Sequence, residues 1–208
     1  MSGDSEETRR LLELAKCGDP IAFEELFRRH RAKLRQAIAL RIDRRMAARV
    51  DASDVLQETY LEAFRRLPKY LHQERMPFSL WLRWIAREKL AALHRRHLGA
   101  KKRSATHEAP LMPADSSAQI VSMIAGRGPS PSQELARAEM AEKVRIALGR
   151  LGVEERDLIL WRHFEQLSIR DVAQLLQISE TAAGKRYIRA LDRLRKTLAQ
   201  LGVSSADS

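Results

Sequence analysis

Cys17 is the only cysteine in a chain of 208 residues. That excludes an intramolecular disulfide framework and a cysteine-rich zinc site. The six histidines are scattered, and no pair stands at metal-ligand spacing beside carboxylates. No serine or cysteine nucleophile has a histidine nearby in a suggestive context, and no glycine-rich phosphate loop occurs. No catalytic activity and no cofactor are therefore expected. No run of about eighteen apolar residues exists, so no membrane span is expected. The opening MSGDSEETRR is acidic and polar, unlike a signal peptide. These absences describe a soluble, cytoplasmic protein. Strand-like stretches are few and short, which leaves an all-α chain.

Positive charge is abundant: 38 Lys and Arg stand against 27 Asp and Glu, a formal net charge of +11. Such a surplus favours a polyanionic partner and says nothing about fold. The stretch Leu167–Leu198 gives it a form. Ser168 with Asp171 reads as a capping-box pair opening a helix whose apolar face is Val172, Leu175 and Leu176. Ala173 is small where two helices would cross, Ile178 fills a turn, and Ser179 caps a second helix. Ile188, Leu191, Leu194 and Leu198 then recur at helical spacing, with Lys185, Arg186, Arg189, Arg193 and Lys196 opposite. A DNA-binding helix-turn-helix fits this pattern, and so does an ordinary helical hairpin with a solvated basic face.

Upstream, Asp19-Pro20 predicts a helix start. Ile21, Phe23, Leu26, Phe27, Leu34 and Ile38 follow as its apolar side. A second helix is predicted from about Ala52 to Leu67, closed by Pro68, with Leu56, Tyr60, Ala63, Phe64 and Leu67 as its stripe. Asp54, Glu58 and Glu62 line up at four-residue steps beside Gln57, an acidic stripe on a basic protein. Helix-dipole complementarity accounts for Asp54 but less well for Glu62, and a basic protein partner is the functional reading. Residues 70–77 read as a polar connection. A third helix begins at Phe78, with Leu82, Ile85, Ala86 and Leu93 inward. Trp81 and Trp84 lie on an adjoining face beside Arg83, Arg87, Lys89, His94, Arg95 and Arg96. Core packing is the default for a tryptophan, but paired tryptophans beside cations also hold single-stranded nucleic acid by stacking. One Trp is assigned to the core and the other left open.

From Gly99 the chain becomes rich in Pro, Gly and Ser, with an apolar run Ile120–Ala125 in its midst. Helical patterns resume near Ser132 (Leu135, Met140, Val144, Leu148) and from Glu154 to Phe164. The expected organisation is two small helical domains on a flexible linker, the C-terminal one a helix-turn-helix. Residues 1–14 form a disordered tail, 15–98 the first domain, 99–131 the linker, 132–200 the second domain and 201–208 a tail.

DASDVLQETYLEAFRRL, then PFSLWLRWIAREKLAALHRR, a linker and a C-terminal helix-turn-helix resemble a bacterial RNA polymerase sigma factor. The likeness is to the sigma-70 family in its extracytoplasmic-function (ECF) type. The D-x-x-Q-E core at Asp54, Gln57 and Glu58, placed at this distance before the WL-x-x-I-A segment, is specific as a combination. The resemblance implies that Asp54, Gln57, Glu58, Tyr60 and Phe64 dock on the clamp helices of the polymerase core. It implies that residues 71–77 and the helix after them engage the minus-ten element, capturing an unstacked base. Trp81, Arg83, Trp84, Arg87, Lys89, His94, Arg95 and Arg96 are the candidates there. It implies that the helix entering at Ser179 reads the minus-thirty-five element of promoter DNA. Glu180, Thr181, Lys185 and Arg186 would face bases, and Arg189 and Arg193 phosphate. It also implies an anti-sigma factor as a partner. The chain departs from the family at Gln177, where the turn usually has Gly. It departs again at Ala182-Ala183-Gly184-Lys185-Arg186, where T-V-K-S-R is common. A stand-alone helix-turn-helix regulator and an RNA-binding protein are the other readings of the same charge.

Overall fold

The structure is a computed structural model, and it describes residues 5–42, 50–98 and 134–203. The linker, the run Ile120–Ala125 and the expected helix start at Ser132 lie outside the described residues. Every regular element among those described is helical. The chain divides into two units.

The first unit holds α1 (Glu6–Lys16), α2 (Pro20–Ala39), α3 (Ala52–Gln73) and α4 (Phe78–Leu98). α1 corrects the expectation of a disordered tail over 1–14. The Ser5 hydroxyl accepts the Thr8 N–H at 3.2 Å, Glu6 and Glu7 occupy the first turn, and Lys16 the last. Eleven residues are marginal as an isolated helix, so packing must supply the rest. Leu11 and Leu12 are buried, and α1 packs on α2. α2 begins where Asp19-Pro20 predicts, with the Asp19 carboxylate accepting the Ile21 N–H at 2.8 Å. Phe23, Leu26, Phe27, Leu34 and Ile38 are buried, whereas Ile21 is 69% exposed and leaves the apolar face.

α3 does not stop at Pro68. It runs through the proline to Gln73, which shortens the expected connection. An interior proline costs about 3 kcal/mol. Tyr70 supplies the compensating contact: it is buried, its ring stacks on Trp81 at 4.4 Å, and its hydroxyl donates to the Met76 carbonyl at 3.0 Å. Along α4, Phe78, Leu80, Trp81, Leu82, Ile85, Ala86 and Leu90 are buried, and Leu93 is half-buried. α2, α3 and α4 pack on one another.

The second unit holds α5 (Glu134–Arg150), α6 (Val153–Ile159, continued by a wider turn Leu160–Phe164), α7 (Ile169–Leu176) and α8 (Glu180–Gln200). Residues 40–42, expected in the first domain, belong to this second unit. There the Arg41 Nε donates to the Asp157 carboxylate at 2.8 Å with both side chains buried. Val144, Ala147, Leu148, Leu158, Ile159, Leu160 and Trp161 build the core. The predicted capping box at α7 is present: Ser168 Oγ accepts the Asp171 N–H at 3.1 Å, and Asp171 Oδ2 accepts the Ser168 N–H at 2.9 Å. Gln177 then takes the left-handed conformation, φ 55° and ψ 43°, to turn the chain into α8. The Ser179 hydroxyl accepts the Ala182 N–H at 3.2 Å, as expected of a cap.

α8 meets its neighbours through Ala183, Ala190, Leu194, Thr197 and Leu198. This corrects the expected seam. Ile188 is 58% exposed. At ~100° per residue it lies roughly 140° around the helix from Ala183. Small residues at Ala173, Ala183 and Ala190, all buried, let the helices approach closely.

Candidate functional site: a docking face and two cationic faces

The docking candidates lie along α3. Asp54, Gln57 and Glu58 are exposed, Tyr60 is half-buried and Phe64 is 56% exposed. The Asp54 carboxylate also accepts the Asp51 N–H at 3.4 Å, a long contact that makes it part of the helix start. Tyr60 is wedged against α2, edge-on to Phe27 at 4.9 Å and tilted against Phe23 at 5.4 Å. A groove of about 400 Å³ opens there, lined by Phe27, Arg28, Arg31, Leu56, Gln57 and Tyr60 among others. Asp54, Glu58 and Phe64 are outside that lining, although they share the helix. Beside Phe64 stands Leu61, 52% exposed, which sequence reasoning passed over. Two large apolar side chains held in water on one helix were the available signal.

The acidic stripe does not reach Glu62. That carboxylate accepts Arg66 Nε at 2.6 Å and Lys89 Nζ at 2.8 Å, with only 14% of the side chain exposed. Hydrogen bonds from Lys89 and Arg66 hold its pKa down at about 2. Glu62 therefore ties α3 to α4 and is not a docking acid.

Lys89 is correspondingly committed inside the unit and is not an open phosphate contact. Trp81 is also corrected. It is 6% exposed and covered by Tyr70 and Phe78, so no ring face is available to stack a base. It is the core member of the tryptophan pair. Trp84 is half-buried, with the Arg66 guanidinium over its ring at 5.4 Å from the centroid. Arg66 in turn donates to Glu88 at 2.7 Å. Arg83, Arg87 and His94 recur on one side of α4, and all three are half-buried. Arg83 donates to the Ser79 carbonyl at 3.0 Å. Arg95 and Arg96 are exposed. Beneath this face the His30 ring lies 5.6 Å from Phe78. Burial, followed by the Arg83 charge, lowers its pKa to about 4.

In the second unit, α8 carries Glu180, Thr181, Lys185, Arg186, Arg189 and Arg193, all exposed, with the exposed cap Ser179 before them. They divide by partner. Arg193 donates to Glu155 at 2.8 Å, and Arg186 lies 3.7 Å from Glu154. Lys185 and Arg189 have no carboxylate partner among the described residues. Tyr187, also on α8, shares a 2.7 Å hydrogen bond with His163, and the Arg162 guanidinium lies over the Tyr187 ring at 5.6 Å. These bonds fix the rotation of α8 on α6 and its following turn.

A capped helix-turn-helix with a cationic outer face stands in one unit, and an acidic and apolar helix face in the other, both all-helical. The comparisons identify the family. Residues 26–98 match the sigma-70 region 2 family and residues 141–194 match sigma-70, region 4. The ECF RNA polymerase sigma factor SigM of Mycobacterium tuberculosis is 30% identical over 193 residues, covering 92% of this chain and 84% of that protein. The probable RNA polymerase sigma factor RfaY of Xanthomonas campestris is 33% identical over 79% of this chain, which spans only 37% of that longer protein. The structure of CnrH in complex with the cytosolic domain of CnrY has a TM-score of 0.59 at 23% identity, covering 94% of this chain and 99% of that one. The sigma factor RpoE in complex with the anti-sigma factor NepR, from Bartonella quintana, has a TM-score of 0.57 at 18% identity, covering 86% and 98%. The chain belongs to the sigma-70 family of RNA polymerase sigma factors, in its ECF type. No helix among the described residues is long and apolar enough to cross a membrane.

Proposed function

We propose that this sigma factor works through three faces. Asp54, Gln57 and Glu58, with Tyr60 and Phe64, dock the first unit on the clamp helices of the polymerase core. Trp84, Arg83, Arg87, His94, Arg95 and Arg96 engage the minus-ten element. There the cations track phosphate, and the unstacking cost of a captured base, a few kcal/mol, is offset in a protein pocket. α8 reads the minus-thirty-five element from the major groove, entering at Ser179. The reaction chemistry belongs to the polymerase, and the setting is cytoplasmic. An anti-sigma factor that withholds the chain until a stress or envelope signal arrives completes the reading. The sigma factor RpoE, solved with the anti-sigma factor NepR, supports that step by analogy.

The observation that carries the proposal is the pairing on α3 of exposed acids with an exposed Phe64, on a chain of net charge +11. A stand-alone regulator has no use for that face. The test is in vitro transcription with core polymerase, followed by start-site mapping. Specific starts are expected, and D54N with E58Q should lower core binding about tenfold or more while leaving helicity unchanged, because the amide oxygen of D54N can still accept the Asp51 N–H. Absence of any specific start, or full activity in the double variant, would refute the reading.

A further inference from the structure

We propose that Ile188 is a specificity-determining residue of α8, packing on the C5-methyl group of a thymine in the major groove, and that Gly184 lets the helix come close enough to do so. The inference rests on α8 being the promoter-reading helix and names what it reads.

Two departures from helix economy lie side by side on α8. Ile188 is a large aliphatic side chain left 58% exposed, well outside the seam formed by Ala183, Ala190, Leu194 and Leu198. Its neighbours on the outer face are Lys185 one turn earlier and Arg189 next in sequence, both exposed and without a carboxylate partner among the described residues. Asp192, one turn later, is 3.9 Å from Arg195. An isolated aliphatic group between cations suits a surface whose walls are phosphates and whose floor offers methyl groups. The major groove is such a surface, since thymine alone among the bases presents a methyl there.

Gly184 is the second departure. Glycine in a helix interior costs about 1 kcal/mol relative to alanine. Neither usual reason for it applies. Its φ is not positive, and a Cβ built there would meet nothing within 4 Å. Neither the backbone nor the protein's own packing requires glycine. The remaining requirement comes from outside the chain, a close approach of another molecule. Gly184 and Ile188 are one helical turn apart, so the gap at one brings the other nearer the groove floor.

The experiment uses the full chain assembled with core polymerase. A pool of duplexes randomised upstream of a fixed start region is selected for binding. The winning duplex is then resynthesised with each dT replaced in turn by dU, which removes only the methyl. One replacement should weaken binding by about fourfold, the worth of one buried methyl group. I188A should weaken binding of the dT duplex by a similar or larger factor and abolish the dT/dU difference at that position, a non-additive cycle. G184A should raise thermal stability yet weaken binding severalfold. R189A, as a control at a cation assigned to phosphate, should weaken binding to every duplex alike and reduce its salt dependence. Undiminished dT/dU discrimination by I188A, or no sensitive thymine at all, overturns the proposal for Ile188. Wild-type binding by G184A overturns the close-approach step. If no upstream sequence is selected, the reading of α8 as a promoter reader fails, and this inference fails with it.

Discussion

Lys89 Nζ donates to Glu62 Oε2 across 2.8 Å, joining α4 to α3. Glu62 also holds Arg66, whose guanidinium covers Trp84. One carboxylate thus organises three cations, Arg65 at 2.5 Å among them, and an aromatic ring beside the face proposed to meet the minus-ten element.

The pairing separates Lys89 from Arg96. K89A should leave the salt dependence of single-stranded DNA binding unchanged and cost about 1 kcal/mol of stability, the scale of a partly exposed pair. R96A, at an exposed cation with no partner among the described residues, should leave stability unchanged and reduce the salt slope by about 0.7. Salt titrations of binding by fluorescence anisotropy decide between them. An equal loss of slope in both variants would show that Lys89 reaches phosphate.

Gln177 carries a left-handed backbone that costs a non-glycine residue about 1 kcal/mol or more. Its N–H still donates to the Gln174 carbonyl at 3.2 Å, and that of Ile178 to the Ala173 carbonyl at 3.0 Å. Q177G should keep both bonds and relieve the strain. Part of the gain is lost to the greater freedom of glycine in the unfolded chain, leaving about 0.5 kcal/mol of net stabilisation. Urea denaturation measures it. A destabilised Q177G would mean that the glutamine side chain contributes more than its backbone costs.

Local signals were the legible ones. Ser168 with Asp171, Ser179, and Asp19 before Pro20 all cap where their chemistry predicts, because a cap is decided within four residues. The misread features depend on distant partners. Pro68 reads as a stop until Tyr70 finds Trp81. Glu62 reads as a surface acid until Lys89, 27 residues away, reaches it. Ile188 has the spacing of a seam residue, but Ala183 and Ala190 already fill that role with less bulk. α1 was hidden by its polar surroundings, since burial of Leu11 and Leu12 requires α2 to be in place.

His30 gives the first unit a pH dependence. Its Nε2 has no hydrogen-bond partner among the described residues, and Arg83, Lys33 and Arg29 all disfavour its charged form after burial itself. The folded pKa of about 4 lies below the ordinary 6.5, so the unfolded chain binds the proton more readily. Stability therefore falls as pH drops from 6.5 toward 4. The slope is shallower than the limiting ~1.4 kcal/mol per pH unit, because solvent still reaches part of the ring. H30L should flatten this limb in denaturant titrations at pH 7, 5.5 and 4.5. The carboxylate of Glu62 acts in a lower window. Its depressed pKa contributes stability above the ordinary carboxylate range, lost as pH falls toward 2. H30L should leave that acid limb in place. An unchanged slope between pH 6.5 and 4 in H30L would assign the dependence to another group.

Phe64 and Leu61 test docking through apolar area, where the acids test it through charge. Both are more than half exposed, but the Phe64 ring also meets Phe23 at 5.5 Å and Tyr60 at 6.5 Å, so F64A should cost about 1 kcal/mol of stability and L61A less. At an interface the same ring would be desolvated, and aromatic anchors of that kind are worth about 2 kcal/mol or more. F64A should therefore weaken core polymerase binding by roughly 30-fold, more than its cost of about 1 kcal/mol in stability accounts for, the latter measured alongside by urea denaturation. L61A should weaken it less, because its aliphatic side chain has less area to bury. The acids should act differently. E58A should slow association and do so most at low salt, while F64A should speed dissociation at any salt. Surface plasmon resonance with immobilised core resolves the two rates. A normal dissociation rate for F64A would place the docking surface elsewhere on the first unit.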